Sequence, residues 1–244
     1  MRKIVFIIVC IITFVSCESA IKLSGNETVK DLNILDNNVE GIAVQDGFEV
    51  YLTCKNEQNV KIFADEQIIS SVKHETRNGI MYFYKDSGAE FPNSASVKIQ
   101  IYTDSVSIIK SLNSTIYIVD TLKTDSLVLE CFNLSLIKGE IECQKLDVIT
   151  NSSTIYLTGS AGNAVMNVSG GSVVGVGKDN PQKLWNGINT VNSKLNISGG
   201  SIVNINIENE LEIYARENSI MNYATAGVFR SVILDDDSEI ILQK

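Results

Sequence analysis

After residue 105 the chain repeats one pattern: a small polar residue, then aliphatic residues at alternate positions. It recurs at Ser114-Thr115-Ile116-Tyr117-Ile118, Ser135-Leu136-Ile137, Ser153-Thr154-Ile155-Tyr156-Leu157 and Ser172-Val173-Val174-Gly175-Val176. It continues at Ser193-Lys194-Leu195-Asn196-Ile197, Ser219-Ile220-Met221 and Ser238-Glu239-Ile240-Ile241-Leu242, with successive serines 21, 18, 19, 21, 26 and 19 residues apart. Between them lies a second series: Leu127-Val128-Leu129, Leu146-Asp147-Val148-Ile149, Val165-Met166-Asn167-Val168, Leu211-Glu212-Ile213 and Val232-Ile233-Leu234. Alternation of this kind marks strands with one buried side. A unit of about 20 residues cannot bury such a side alone, but stacked units can.

The spacing therefore predicts coils of a parallel β-solenoid, with strands about 4.8 Å apart and aliphatic side chains inside. Gly170-Gly171 and Gly199-Gly200 supply corner residues free of steric restriction. A β-sandwich or an up-and-down barrel shares the strand spacing. Two features favour the solenoid: Ser-Thr-Ile-Tyr recurs after 39 residues, close to two coils, and two-residue hairpin turns are scarce after residue 105. The acidic run Asp235-Asp236-Asp237-Ser238-Glu239 fits a charged guard on an exposed terminal edge.

From Gly41 to about Asp104 the chain reads as a meander, with strands at 48–54, 60–64, 68–75, 80–84 and 96–102. Asn78-Gly79 between the third and fourth is a strong hairpin signal, because both residues tolerate positive φ. No segment after Cys17 keeps helical apolar spacing for three turns. The expected fold is all-β: an N-terminal β meander running into a right-handed parallel β-helix or solenoid of about six or seven coils.

The N-terminus has the order of a secretory signal. Arg2 and Lys3 precede an apolar run from Ile4 to Val15, broken only by Thr13, and then Ser16 and Cys17. A helix over that run would be roughly 18 Å long, short of the roughly 30 Å hydrocarbon core of a bilayer. Phe14-Val15-Ser16-Cys17 resembles the bacterial lipobox, with Phe14 where Leu is usual. The expectation is a lipoprotein signal peptide at 1–16, lipidation with palmitate at Cys17, a tether over 17–40, the meander at 41–105 and the solenoid at 106–244. Residues 41–244 also read as one continuous unit. The alternative is an ordinary signal peptide whose cysteine is incidental.

Loss of Arg2 and Lys3 would take the net charge from −9 to about −11. An acidic surface repels phosphate backbones, so nucleic acid is not an expected partner. The expected partners are a membrane, reached through the lipid anchor, and an unknown protein or glycan ligand. The location implied is the outer membrane or cell surface, with a periplasm-facing orientation as the alternative.

Gly47-Phe48-Glu49-Val50-Tyr51-Leu52, Val60-Lys61-Ile62-Phe63-Ala64 and Arg77-Asn78-Gly79-Ile80-Met81-Tyr82-Phe83 resemble the opening of the putative auto-transporter adhesin, head GIN domain family. The serine-led coils resemble that family's repetitive half, so the likeness spans roughly residues 40–240. It implies a Bacteroidetes-type envelope protein with a β-helical body and an adhesin label, and it brings no catalytic residues. The segment Lys178-Asp179-Asn180-Pro181-Gln182-Lys183-Leu184-Trp185 departs from the family's coil rhythm.

Residues suited to chemistry are sparse. His74 is the single histidine, so histidine triads and histidine-rich zinc sites are unavailable. Among 29 acids some pair will reach glycosidase spacing by chance, so spacing alone carries no weight. Cys54, Cys131 and Cys143 do not have metal-site spacing; Cys54 reads as a small buried hydrophobe, and Cys131 with Cys143 is a conceivable pair in an oxidising compartment. Asp104-Ser105-Val106, Asp120-Thr121-Leu122 and Asp125-Ser126-Leu127 resemble O-glycosylation sites of exported Bacteroidetes proteins.

No catalytic, cofactor or metal site is assigned. Trp185, the only tryptophan, is the candidate ligand contact, or else a plug packed over the solenoid side. Tyr117 and Tyr156 would form a vertical stack if their coils align. The expected function is a non-enzymatic cell-envelope lipoprotein acting as an adhesin or protein-interaction module. The alternative is a glycan-binding or polysaccharide-processing β-helix protein.

Overall fold

The computed structural model describes residues 24–32, 39–175, 187–225 and 227–243. The first half holds β1 (Glu27–Leu32), β2 (Gly41–Gln45), β3 (Glu49–Cys54), β4 (Asn59–Asp65), β5 (Val72–Arg77), β6 (Ile80–Lys85), β7 (Lys98–Thr103), β8 (Ile108–Leu112) and β9 (Thr115–Ile118). The second holds β10 (Leu122–Phe132), β11 (Leu136–Asn151), β12 (Thr154–Ser169), β13 (Val173–Val174), β14 (Ile188–Ile197), β15 (Ile202–Ala215), β16 (Ile220–Tyr223), β17 (Val228–Leu234) and β18 (Glu239–Leu242). The all-β expectation holds, and all these strands belong to one continuous hydrogen-bonded sheet.

From β8 onward the pairing is parallel, and it falls into three faces per turn of chain. In β11, residues 136–138 pair with β9, 141–143 pair with the start of β10, and 145–151 pair with its end. Strand β12 repeats the register one turn on, from Leu136↔Thr154 to Asn151↔Ser169. We call these stretches the first, second and third faces. Inward positions on all three, such as Ile137, Ile141, Leu146 and Val148, are fully buried. The outward neighbours are polar or half-exposed, as period-2 alternation requires.

The corner joining the third face to the first has a fixed chemistry. One or two residues in the left-handed region come first: Asn113, Asn133 with Leu134, Ser152, Gly170 with Gly171, Gly199 with Gly200, Glu217 with Asn218, and Asp236 with Asp237. A serine follows each time: Ser114, Ser135, Ser153, Ser172, Ser201, Ser219 and Ser238. The amide N–H of Ser114 donates to Ser135 Oγ (3.1 Å), that of Ser135 to Ser153 Oγ (3.2 Å), and that of Ser153 to Ser172 Oγ (3.2 Å). Ser172 donates likewise to Ser201, and Ser219 to Ser238. The hydroxyls of Ser114, Ser135, Ser153, Ser172, Ser201 and Ser219 in turn donate to a carbonyl just upstream, as Ser172 Oγ does to Ser169 O at 2.6 Å. The serine thus serves a buried amide that no strand partner reaches.

This register corrects one assignment. Ser193 is not a corner serine: it lies on the third face, opposite Ala164 and Leu211, and Ser193–Ile197 is the member missing from the second repeat series. Ser201 holds the corner, with Ile202 and Val203 opposite Val173 and Val174. Ser172 and Ser201 are 29 residues apart in sequence, against 18 or 19 for the neighbouring corner pairs, which moves the count out of phase. The acidic run 235–237 sits in the last such corner, beside the exposed strand β17.

Strands form at four of the five expected N-terminal ranges, while in the remaining one, 68–75, Ile69–Ser71 is a short 3-10 helix leading into β5, and β2 is an added strand; only some of them pair as a meander. The Asn78-Gly79 turn has both residues at positive φ and closes the β5–β6 hairpin. Instead of pairing with each other, β2 pairs in parallel with β6 and β8, and β3 pairs in parallel with β7 and β9. Strand β4 then lies antiparallel to β7, and β1 antiparallel to β4. The corner between β2 and β3 follows the later rule, with Asp46 and Gly47 left-handed and buried Phe48 in the serine's place.

Ser172→Ala should leave the Ser153 amide buried without a partner and lower stability by about 1–3 kcal/mol. Exposed Ser160→Ala should change it by less than about 0.5 kcal/mol. Urea unfolding of the two variants checks the contrast. Leu134 is 86% exposed at φ 63, so Leu134→Gly should stabilise the fold by roughly 0.5–1 kcal/mol in the same assay, through relief of left-handed strain.

Candidate functional site

Outward side chains on the first face stack in rows, because parallel pairing keeps equivalent residues opposite one another. One row runs Tyr51 (β3), Tyr117 (β9), Lys138 (β11) and Tyr156 (β12). Tyr51 and Tyr117 are stacked, with ring centroids 5.1 Å apart and an interplanar angle of 23°. Tyr117 and Tyr156 do not touch as a vertical pair: Lys138 occupies the strand between them, so they are two strand spacings, about 10 Å, apart.

These residues line a groove of about 440 Å³ with Val119, Gly139 and Glu140. Gly139 is there because of a close approach: a Cβ at this position would come within 2.4 Å of Ile118 Cβ. Val119 at the rim is 56% exposed. The Tyr51 phenol is pushed above its ordinary pKa, first by burial, then by the Glu49 carboxylate and the Tyr117 hydroxyl. The groove is lined by three phenol rings, with Lys138 and Glu140 beside them. That set suits contact and hydrogen bonding. Paired carboxylates for glycosidic hydrolysis are not among the residues lining it.

The other residues singled out in the sequence fall elsewhere. Cys17 and Trp185 lie outside the described residues. His74 sits on β5 opposite Phe83, and its pKa is lowered by burial and by Lys30. Cys131 is on the third face and Cys143 on the second, both pointing inward, and Cys54, Cys131 and Cys143 are free thiols. Burial pushes Cys131 up to about 12 and Cys143 up to about 11. Ser105 is exposed, while Thr121 and Ser126 are half-buried. No cluster of three metal-ligating side chains occurs among the described residues.

Residues 38–225 match the model of the putative auto-transporter adhesin, head GIN domain family. The chain belongs to that family. Its fold is also that of several solved structures. A putative adhesin from Bacteroides fragilis NCTC 9343 shares 16% identity at a TM-score of 0.77, with 91% of this chain and 98% of that chain covered. A putative adhesin from Parabacteroides merdae ATCC 43184 shares 14% identity at 0.69, covering 92% and 99%. A putative lipid binding protein from Parabacteroides distasonis ATCC 8503 shares 14% identity at 0.68, covering 92% and 100%. At these identities the likeness is one of fold. No curated protein matches the sequence.

Tyr51 was missed by sequence reasoning as a partner of Tyr117, because 66 residues separate them and parallel pairing leaves no local trace. The buried thiols generate a test. They hold protons in the folded state that the unfolded chain, with thiols near 9.0, releases. Stability should therefore fall as pH rises above about 9. Urea unfolding at pH 8 and pH 10 should show this drop, and it should shrink in the Cys131→Ala, Cys143→Ala chain; an undiminished drop would assign it to other groups.

Proposed function

We propose that the chain is a non-enzymatic, lipid-anchored envelope protein that engages a partner protein through the tyrosine groove of its first face. The observation that carries this reading is the alignment of Tyr51, Tyr117 and Tyr156 around one groove. Tyrosine supplies large contact area at low entropic cost and dominates many protein interfaces. The family's adhesin description agrees with a contact role. The anchor rests on Arg2, Lys3, the apolar run and Cys17 in the sequence. Among the described residues no helix is long and apolar enough to cross a membrane.

Each part has its own test. Wild type should take up labelled palmitate and partition with membranes, and Cys17→Ala should do neither. Proteinase K added to intact cells should digest the chain; full protection would place it on the periplasmic side. Attachment of producing cells to immobilised host and neighbour-cell proteins should drop at least fivefold in the Tyr51→Ala, Tyr117→Ala double variant. Unchanged attachment would remove the groove from the contact surface.

A further inference from the structure

The outer side of the third face carries a second track, separate from the tyrosine groove. A single row in register begins at Tyr82 on β6 and passes Ala43 on β2, Lys110 on β8 and Glu130 on β10. It continues through Ile149, Asn167 and Asn196 to Tyr214 on β15. Seven strand steps separate the two tyrosines, roughly 34 Å along the stacking axis. Two depressions lie along this line, of about 210 Å³ and 360 Å³, and Phe132 on the adjoining row lines both. The track is therefore continuous, with an aromatic ring at each end and one near the middle.

The polar groups between the rings are amides held in place by their neighbours. Asn196 Nδ2 donates to Asn167 Oδ1 at 2.8 Å, and Asn151 Nδ2 donates to Ser169 Oγ at 3.0 Å. An amide has two donors and an acceptor, so Asn167 keeps its N–H groups and Asn196 its carbonyl for a ligand. Lys110 is paired with Glu130 at 2.9 Å and Lys194 with Glu212 at 3.3 Å, and Asp147 on the same face is an exposed carboxylate. The terminal tyrosines each have a guanidinium beside the ring, Arg77 at 5.5 Å from the Tyr82 centroid and Arg216 at 5.9 Å from that of Tyr214. Arg77 is paired with Glu75, and Arg216 lies 4.0 Å from Glu217.

We infer that this face binds a neutral, linear polysaccharide laid along the stacking axis. Sugar rings present C–H faces that stack on aromatic rings, and their hydroxyls match amide donors and acceptors. A pyranose in an extended chain advances by about one strand spacing, so successive sugars meet successive strands. The pairing of Lys110 and Lys194 with carboxylates, the exposed Asp147 and the net charge of −9 disfavour uronate or sulfated chains. The row length fits roughly seven sugars.

Titration calorimetry of the anchored chain, released as the soluble form from Ser19 onward, with neutral di- and hexasaccharides of β-1,4-linked glucose, mannose and xylose tests the inference, with a polygalacturonate hexamer as the charged comparison. At least one neutral hexamer should bind tenfold or more tightly than its disaccharide and than the charged hexamer. Phe132→Ala and Tyr214→Ala should each weaken that hexamer about tenfold. Asn167→Asp, which keeps size but removes the donors at an exposed position, should weaken it as well and stands in if an aromatic truncation fails to fold. Tyr117→Ala should leave it unchanged, which separates this site from the tyrosine groove. Absence of neutral hexamer binding, preference for the charged hexamer, affinity independent of length, or full affinity in the Asn167→Asp chain overturns the inference.

Discussion

The stack depends on corner serines such as Ser135, Ser153, Ser172 and Ser201, whose hydroxyls accept the amide of the serine one turn earlier and donate to a carbonyl of their own turn. Strand pairing satisfies backbone groups along the faces, but at a corner the chain changes direction and the ladder breaks. An unpartnered amide there would cost free energy at every turn. Serine is small enough to be almost wholly enclosed, as Ser172 is, and its hydroxyl both donates and accepts. Alanine would fill the space without serving the amide. Once the corner is fixed, the phase of the next strand follows, and with it which side chains face the core.

The left-handed residues before each serine belong to the same constraint. The chain must reverse within two residues, and that requires positive φ. Glycine does so without strain at 170–171 and 199–200, while asparagine and aspartate do so at 113, 133, 218, 236 and 237 at small cost. The acidic run 235–237 is thus explained by geometry as well as by its charge. Aspartate tolerates the conformation and also discourages pairing at the exposed strand beside it.

What the sequence made legible follows from how local each signal is. The corner serines, the alternation of the faces and the Asn78-Gly79 hairpin are set by neighbours within a few residues, and they were readable. The exchange of Ser193 for Ser201 shows the limit. Both serines precede aliphatic alternation, and only the strand register decides which one reaches the corner. The pairing of β3 with β9, and hence the Tyr51–Tyr117 stack, was not legible, since parallel partners dozens of residues apart share no local signature. The rows on the third face were hidden for the same reason: Tyr82, Asn167 and Tyr214 become neighbours along one line only after every register is known.

This division of labour explains where recognition can reside in such a fold. Corner serines and inward aliphatics are fixed by satisfaction and packing, and substitutions there are paid in stability. Outward positions carry no such duty, yet the ladder still holds them in rows one strand spacing apart. Side chains far apart in sequence thereby become a rigid, periodic surface with little ordering left to pay on binding. Tyr51, Tyr117 and Tyr156 gather on one face and Tyr82, Phe132 and Tyr214 on another without any local motif. A ligand that is itself extended and repetitive gains most from such a surface, because each added unit meets the next strand in the same geometry.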